Sequence, residues 1–175
     1  MRITPLLRNT LYILLVCSTM ACQEYTVHRY CAVDSRNWQR KYMGSFCITD
    51  IKKKGQYAVT AEVRLDKHYP FQDLWLSVET KKNGEPLSMD TVCLDVLDVR
   101  GELGGVGKSI MEYSVPVRNL PLSPDDTLNV NIRHIMSTGF LPGVHDVGVL
   151  VTPASEQKKY MNWKTLLGEL WDKGI

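Results

Sequence analysis

Three groups of residues in this chain have types and spacings that could do chemistry: five cysteines, four histidines, and a glycine-rich run ending in Lys-Ser. The first two cysteines lie in "LLVCSTMACQE", residues 14–24. Residues 1–10 carry Arg2 and Arg8 and no acid, and "LYILLVC" follows from Leu11. A bilayer span takes about 20 predominantly apolar residues. This run is too short, and its charged start and short apolar centre make an export signal. Cleavage needs a small residue before the cut. Val16, ahead of Cys17, is β-branched; Ala21, ahead of Cys22, fits. "STMAC" is therefore a lipobox-like site, with Thr19 where leucine is usual, and Cys22 becomes the lipidated first residue of the mature chain. A plain cut nearby without lipid is the alternative. Gln23 supplies no acidic retention cue, so the expected station is the outer membrane, facing the periplasm.

Cys31, Cys47 and Cys93 remain, an odd number that cannot all pair within the chain. Cys47 and Cys93 sit in apolar strand patterns, and an exported protein meets an oxidising compartment. They read either as a Cys47–Cys93 bridge or as two buried thiols acting as small hydrophobes. His28, His68, His134 and His145 have no zinc-like spacing. His134 and His145 flank a loop with Asp146 adjacent, and satisfied or exposed imidazoles are the simpler reading. "GGVGKS", residues 104–109, ends like a phosphate-binding loop, but that motif needs glycine at 102, which is Glu102. No G-x-S-x-G elbow is present. The chain is read as a non-enzyme with no cofactor and no metal.

Charge narrows the partners. The formal charge is +2; without Arg2 and Arg8, basic and acidic residues balance at 19 each. A neutral mature chain lacks the positive excess on which nucleic-acid affinity rests.

The elements that must position any site are strands. "QYAVTAEVRLDKH" puts Tyr57, Val59, Ala61, Val63 and Leu65 on one face and Thr60, Glu62, Arg64 and Asp66 on the other. "DLWLSVET", "DTVCLDVLD", "TLNVNIRH" and "DVGVLVT" repeat the alternation. "SFCITDI" opens the series. "MEYSVPVRN" is weaker, and Pro116 makes it an edge or bulged strand. Asn83-Gly84 marks a tight hairpin turn. About seven alternating strands without intervening helices predict an all-β antiparallel sandwich, immunoglobulin-like or jelly-roll-like. In the tail, Trp163, Leu166, Leu167, Leu170 and Trp171 form one helical stripe. The expected organisation is a signal at 1–21, a tether at 22–40, a β-sandwich at 41–153 and an amphipathic helix at 154–175.

"HYPFQDLWL", residues 68–76, supplies a candidate contact surface. Tyr69 and Phe71 interrupt two strands, and Trp75 points opposite to Leu74 and Leu76. Tyr and Trp together suit partner-binding surfaces; a loop folded over the core end is the alternative.

The segments "YPFQDLWLSVET", "DTVCLDVLD", "GELGGVGKS" and "NVNIRHIMSTGFLPGVHDVGVLV" together resemble the GldH lipoprotein family of gliding motility. Tyr69-Pro70, Leu74-Trp75, Gly143 and Asp146-Val147-Gly148 carry the likeness most specifically, and Cys22 agrees with it. The resemblance implies a non-enzymatic envelope lipoprotein, held to the membrane by lipid and working with other envelope proteins of a gliding or secretion assembly. A glycan- or peptide-binding module is the rival reading.

Overall fold

The computed structural model describes residues 26–34, 37–97 and 101–157. They are almost entirely antiparallel strand: β1 (Val27–Ala32), β2 (Asn37–Gln39), β3 (Gly44–Ile48), β4 (Gly55–Asp66), β5 (Asp73–Lys82), β6 (Glu85–Asp95), β7 (Val106–Gly107), β8 (Ile110–Leu122), β9 (Leu128–His134), β10 (Phe140–Pro142) and β11 (Val144–Pro153). A five-stranded sheet has the order β1-β11-β4-β8-β7, and a four-stranded sheet the order β3-β9-β5-β6. A third pair, β10-β2, adds Trp38 and Leu141, both fully buried.

One apolar cluster joins the two large sheets. Val59, Ala61, Val63 and Leu65 of β4 and Val147, Val149 and Val151 of β11 come from one side. Leu74, Leu76 and Val78 of β5 and Leu128, Val130 and Ile132 of β9 come from the other. The cause is the period of two: every second residue faces the partner sheet, and β-branched side chains fill a pleated surface well.

The seven strands expected from the sequence appear as β3, β4, β5, β6, β8, β9 and β11, and four more join them. Two of the four, β1 and β2, lie in the stretch expected to be a tether. β1 pairs with β11 along its whole length, from Val27 opposite Val151 to Ala32 opposite Asp146. Its alternation is hidden in the sequence because Arg29 falls between Val27 and Cys31, the two residues that meet the core. Residues 154–157 form a helical turn. The remainder of the expected C-terminal helix, the signal at 1–21 and Cys22 lie outside the described residues.

The turns follow their residue chemistry. Asn83 and Gly84 both have positive φ, 52° and 85°, which suits a two-residue hairpin between β5 and β6. Asn83 Oδ1 accepts the Thr127 N–H at 2.8 Å, and its amide donates to Asp126 at 2.9 Å, tying this tip to the β8–β9 loop. Pro116 sits where the β4–β8 register slips between Val59 and Thr60, so the strand is bulged there. "GGVGKS" makes the β7–β8 hairpin instead of a phosphate loop, and no helix follows it.

Cys31, Cys47 and Cys93 are free thiols. Cys47 on β3 and Cys93 on β6 lie on opposite edges of the four-stranded sheet. Three strand spacings of ~4.8 Å separate them by at least about 14 Å, twice the reach of a disulfide. The Cys47–Cys93 bridge, one of the two readings of these thiols, is therefore excluded. Cys47 is exposed, which also corrects its reading as a buried hydrophobe.

Gly143 has φ 78°, and a Cβ there would stand 2.4 Å from the Tyr69 amide nitrogen. Gly143→Ala is expected to destabilise the fold by about 2 kcal/mol or more, since the contact is with backbone and cannot rotate away. Urea unfolding measures it; a shift below about 0.5 kcal/mol would refute this account of the turn.

Candidate functional site

Three places gather side chains with chemical character, and each is built by a local feature of the strands.

The first is the junction of β4 and β11. The register between them slips between Val144 and Asp146, leaving His145 in a bulge. Bulges re-aim side chains, and here the imidazole Nε2 lies 2.8 Å from Asp66 Oδ2. Asp66 Oδ1 accepts the His68 backbone N–H at 2.8 Å and contacts His68 Nδ1 at 3.0 Å. Burial pushes the Asp66 carboxyl up, but the hydrogen bonds to His145 and His68 outweigh it and bring it down to about 2. Among the described residues neither imidazole bonds a hydroxyl or thiol, so the cluster offers a carboxylate–histidine clamp without a nucleophile. It holds the β4–β5 turn against the start of β11.

The second is the outer face of the five-stranded sheet. Glu62 is fully buried on β4. His28 Nε2 is in direct contact with its carboxylate, Tyr30 donates to it at 2.9 Å and Ser114 at 3.0 Å. Burial first, and then the charges of Glu62 and Glu112, push the Tyr30 phenol well above its ordinary value. The Arg64 guanidinium stacks 3.9 Å over the Tyr30 ring and pairs with Glu112 at 3.1 Å. Ser, His and Glu meet here, yet not as a triad. A triad places the imidazole between hydroxyl and carboxylate, whereas Ser114 and His28 both bind the carboxylate directly. The arrangement fastens β1 to the sheet and generates no nucleophile.

The third is the outer face of the four-stranded sheet, where the expected contact residues were placed. The structure separates them. Tyr69 is 5% exposed, within the core, its hydroxyl donating to the Asp73 carbonyl at 2.7 Å. Phe71 packs against that core and meets the Tyr69 ring edge-on at 5.7 Å. Trp75 alone faces outward, 43% exposed. Its indole N–H is fixed on Asp73 Oδ2 at 2.9 Å, so the ring is displayed in a set orientation. Beyond Trp75 on β5, Ser77 and Glu79 run into a shallow groove of about 220 Å³, lined also by Met43, Met89, Asn131 and Arg133. Asn131 donates to Glu79 at 2.8 Å. That bond, then Lys81, hold the Glu79 carboxyl below its usual range. Met89, 65% exposed, and Met43 form flexible apolar walls over a polar floor.

Sequence reading did not single out Met43, Met89, Glu79, Asn131 or Arg133. The signal was present for Asn131 and Arg133, which are the outward set of β9. Met89 was missed because β6 starts at Glu85, before the apolar alternation of Val92 and Leu94 begins. His134, read beside His145, is instead buried against Trp38, with ring centroids 5.2 Å apart. Burial lowers its pKa; the nearby Trp38 backbone pulls the other way without a well-formed hydrogen bond. No group of three metal-ligating side chains occurs among the described residues.

The sequence profile of the GldH lipoprotein family matches residues 25–151. That is well over half of the chain, and the chain belongs to this family of lipoproteins, which is not a known enzyme family. It is accordingly a protein of the cell envelope. Among the described residues no helix is long and apolar enough to cross a membrane. No curated protein matches. Several solved structures give distant likenesses. A β-glucosidase from Paenibacillus barengoltzii has 16% identity over 71% of this chain and 10% of its own, with a TM-score of 0.34. A family GH115 4-O-methyl-alpha-glucuronidase has 13% identity over 77% of this chain and 18% of its own, at 0.43. The globular domain of zebrafish complement 1qA protein has 10% identity over 75% and 98%, at 0.39. These are too remote to bear on function.

Two outcomes are expected. Asp66 is ordinarily near 3.8 and sits at about 2 when folded, so its stabilisation is complete above pH 3.8 and is lost as pH falls toward 2. Thermal unfolding of Asp66→Asn should accordingly be less stable at neutral pH and shallower in its acid limb; an unchanged acid limb would contradict the clamp. Tyr69→Ala should cost about 3–5 kcal/mol and Trp75→Ala less than about 1, by chemical denaturation. A large loss at Trp75 would make it a core residue.

Proposed function

We propose that this protein is an outer-membrane lipoprotein, anchored through Cys22 and facing the periplasm. It acts as a non-enzymatic scaffold or accessory subunit of a gliding-motility or secretion-type assembly. The observation that carries this reading is the joint one of family and surface: a lipoprotein-family chain that, among the described residues, displays Trp75 on the same sheet face as an open methionine-walled groove. Interfaces favour Trp, Met and Arg; Met43, Met89 and Arg133 line the groove, and Trp75 is exposed on the same face of β5 as the groove residues Ser77 and Glu79. We further infer a jelly-roll β-sandwich. Setting aside the three short strands, the order β1-β11-β4-β8 over β3-β9-β5-β6 supports two interlocked Greek keys.

The anchor geometry follows from β1. Five chain steps separate Cys22 from Val27, where β1 begins. At ~3.6 Å per residue they span at most about 18 Å. The domain is thus held close to the bilayer on a leash much shorter than a 22–40 tether would give. A glycan- or peptide-binding module is the second reading, favoured by the polar floor of Glu79, Asn131 and Arg133 on the same face as an exposed aromatic.

Cys22→Ser should release the protein from the membrane fraction with its fold intact. Retention in the membrane pellet after a salt wash would remove the anchor. A photo-crosslinker at Trp75 in living cells should give one discrete envelope-protein adduct that is lost in Met89→Asp; retention of glycan with no protein adduct would transfer the assignment to the binding module.

A further inference from the structure

The outer faces of the two large sheets are unlike. On the four-stranded sheet Trp75 and Met89 are exposed. On the five-stranded sheet Ala58, Thr60, Leu150 and Thr152 are between 0% and 1% exposed. These four point away from the core: Leu150 pairs with Thr60 and Thr152 with Ala58, out of phase with the core residues Val149 and Val151. Leu150 and Ala58 are outside the apolar core cluster. Their neighbours across the strands, His28 on β1 and Asn119 on β8, flank them within the sheet. Thr152 Oγ1 is buried there without a hydrogen-bond partner. Side chains buried on an outer face require a cover.

We propose that residues 158–175 of this same chain are that cover, folded back as an amphipathic helix along the outer face of the five-stranded sheet. Continuity argues for it. β11 delivers the chain at Pro153, beside Thr152 and Ala58, and the helical turn 154–157 begins at once. Reach argues for it too. From Thr152 back to Asp146 is about 20 Å of strand, and a helix over residues 158–175 covers about 27 Å. Charge agrees. Glu112 and Asp146 share the single Arg64 on this face, leaving an acidic excess, while Lys158, Lys159, Lys164 and Lys173 outnumber Glu169 and Asp172 in the tail. The stripe of Trp163, Leu166, Leu167, Leu170 and Trp171 supplies the apolar side. A short helix of this kind is marginal alone and gains its stability from such a surface. The tail then lies on the same sheet as β1, closing this face and leaving the four-stranded face for a partner.

The test uses the mature chain with Cys22, Cys31, Cys47 and Cys93 changed to Ser and Thr60→Cys added. A soluble maleimide should label it at least about tenfold more slowly than the same chain carrying Leu166→Asp and Leu170→Asp. Equal rates would overturn the proposal. So would protection that rises with protein concentration, which assigns the face to a second copy. Protection that appears only with phosphatidylglycerol vesicles assigns the tail to the membrane and overturns it equally. Hydrogen exchange on the unsubstituted chain guards against misfolding of the variants. Amides of 160–171 should be protected, and exchange at the rate of the isolated peptide would defeat the proposal.

Discussion

The burial of a carboxylate on the central strand constrains the rest of this molecule. Glu62 sits in the middle of β4, whose odd-numbered residues already supply the core. A buried charge is tolerated only when it is paired and hydrogen-bonded. The partners come from both sides of β4: His28 and Tyr30 from β1, across β11, and Ser114 from β8. One side chain thus couples strands far apart in sequence, and β1 is the strand that depends on it most. Removing Glu62 would leave β1 with its backbone ladder but without the polar attachment of its inner ring. Gly148 completes the arrangement, because a Cβ there would stand 2.5 Å from the Tyr30 ring. The ring lies flat across β11 only where that residue has no side chain.

That constraint divides the labour between the sheets. The five-stranded sheet is buried on both faces around Ala58, Thr60, Leu150 and Thr152, and the Glu62 carboxylate is satisfied internally. The four-stranded sheet keeps its outer face open, with Trp75 fixed by Asp73 and with methionines that adapt to what they meet. A rigid aromatic loses little entropy on contact, and flexible thioethers fit imperfect surfaces. Binding at this face therefore asks little reorganisation of the fold. The Asp66 clamp belongs to the closed half as well, joining the end of β4 to the bulge that begins β11.

Legibility in the sequence followed the polarity contrast of each strand. β4, β5, β9 and β11 alternate cleanly because one side meets the core and the other is polar. β1 hides its pattern: Val27, Arg29 and Cys31 on one side face His28 and Tyr30 on the other, so neither side reads as apolar. β2 and β10 are three residues each, too short for a period, and only Trp38 hints that something is buried there. Asn83-Gly84 was readable because the turn depends on those two backbones alone. Tyr69 was not, because its burial depends on Gly143, more than 70 positions away, allowing the β10–β11 turn to press on its amide. Cys47 and Cys93 share an apolar strand setting in sequence, and only the sheet order reveals that they occupy opposite edges. For the candidate surface, Trp75 was legible from its parity on β5. The groove beside it was not, since it is assembled from three strands and the loop residue Met43.

The short leash turns this division into a mode of action. On the proposed anchoring, the lipid restricts the domain to a layer a few tens of ångströms deep, and confinement raises its effective concentration for anything else in that layer. A contact too weak to persist in bulk solution can then hold two envelope proteins together. β1 lies at the edge of the five-stranded sheet, so on that anchoring the pull of the lipid enters the fold at Val27, the start of β1. The polar network around Glu62, which fastens β1 to β4 and β8, is then the part of the fold that resists it. The four-stranded sheet lies on the other side of the shared core, so the exposed Trp75 and Met89 stand apart from the network that takes the strain.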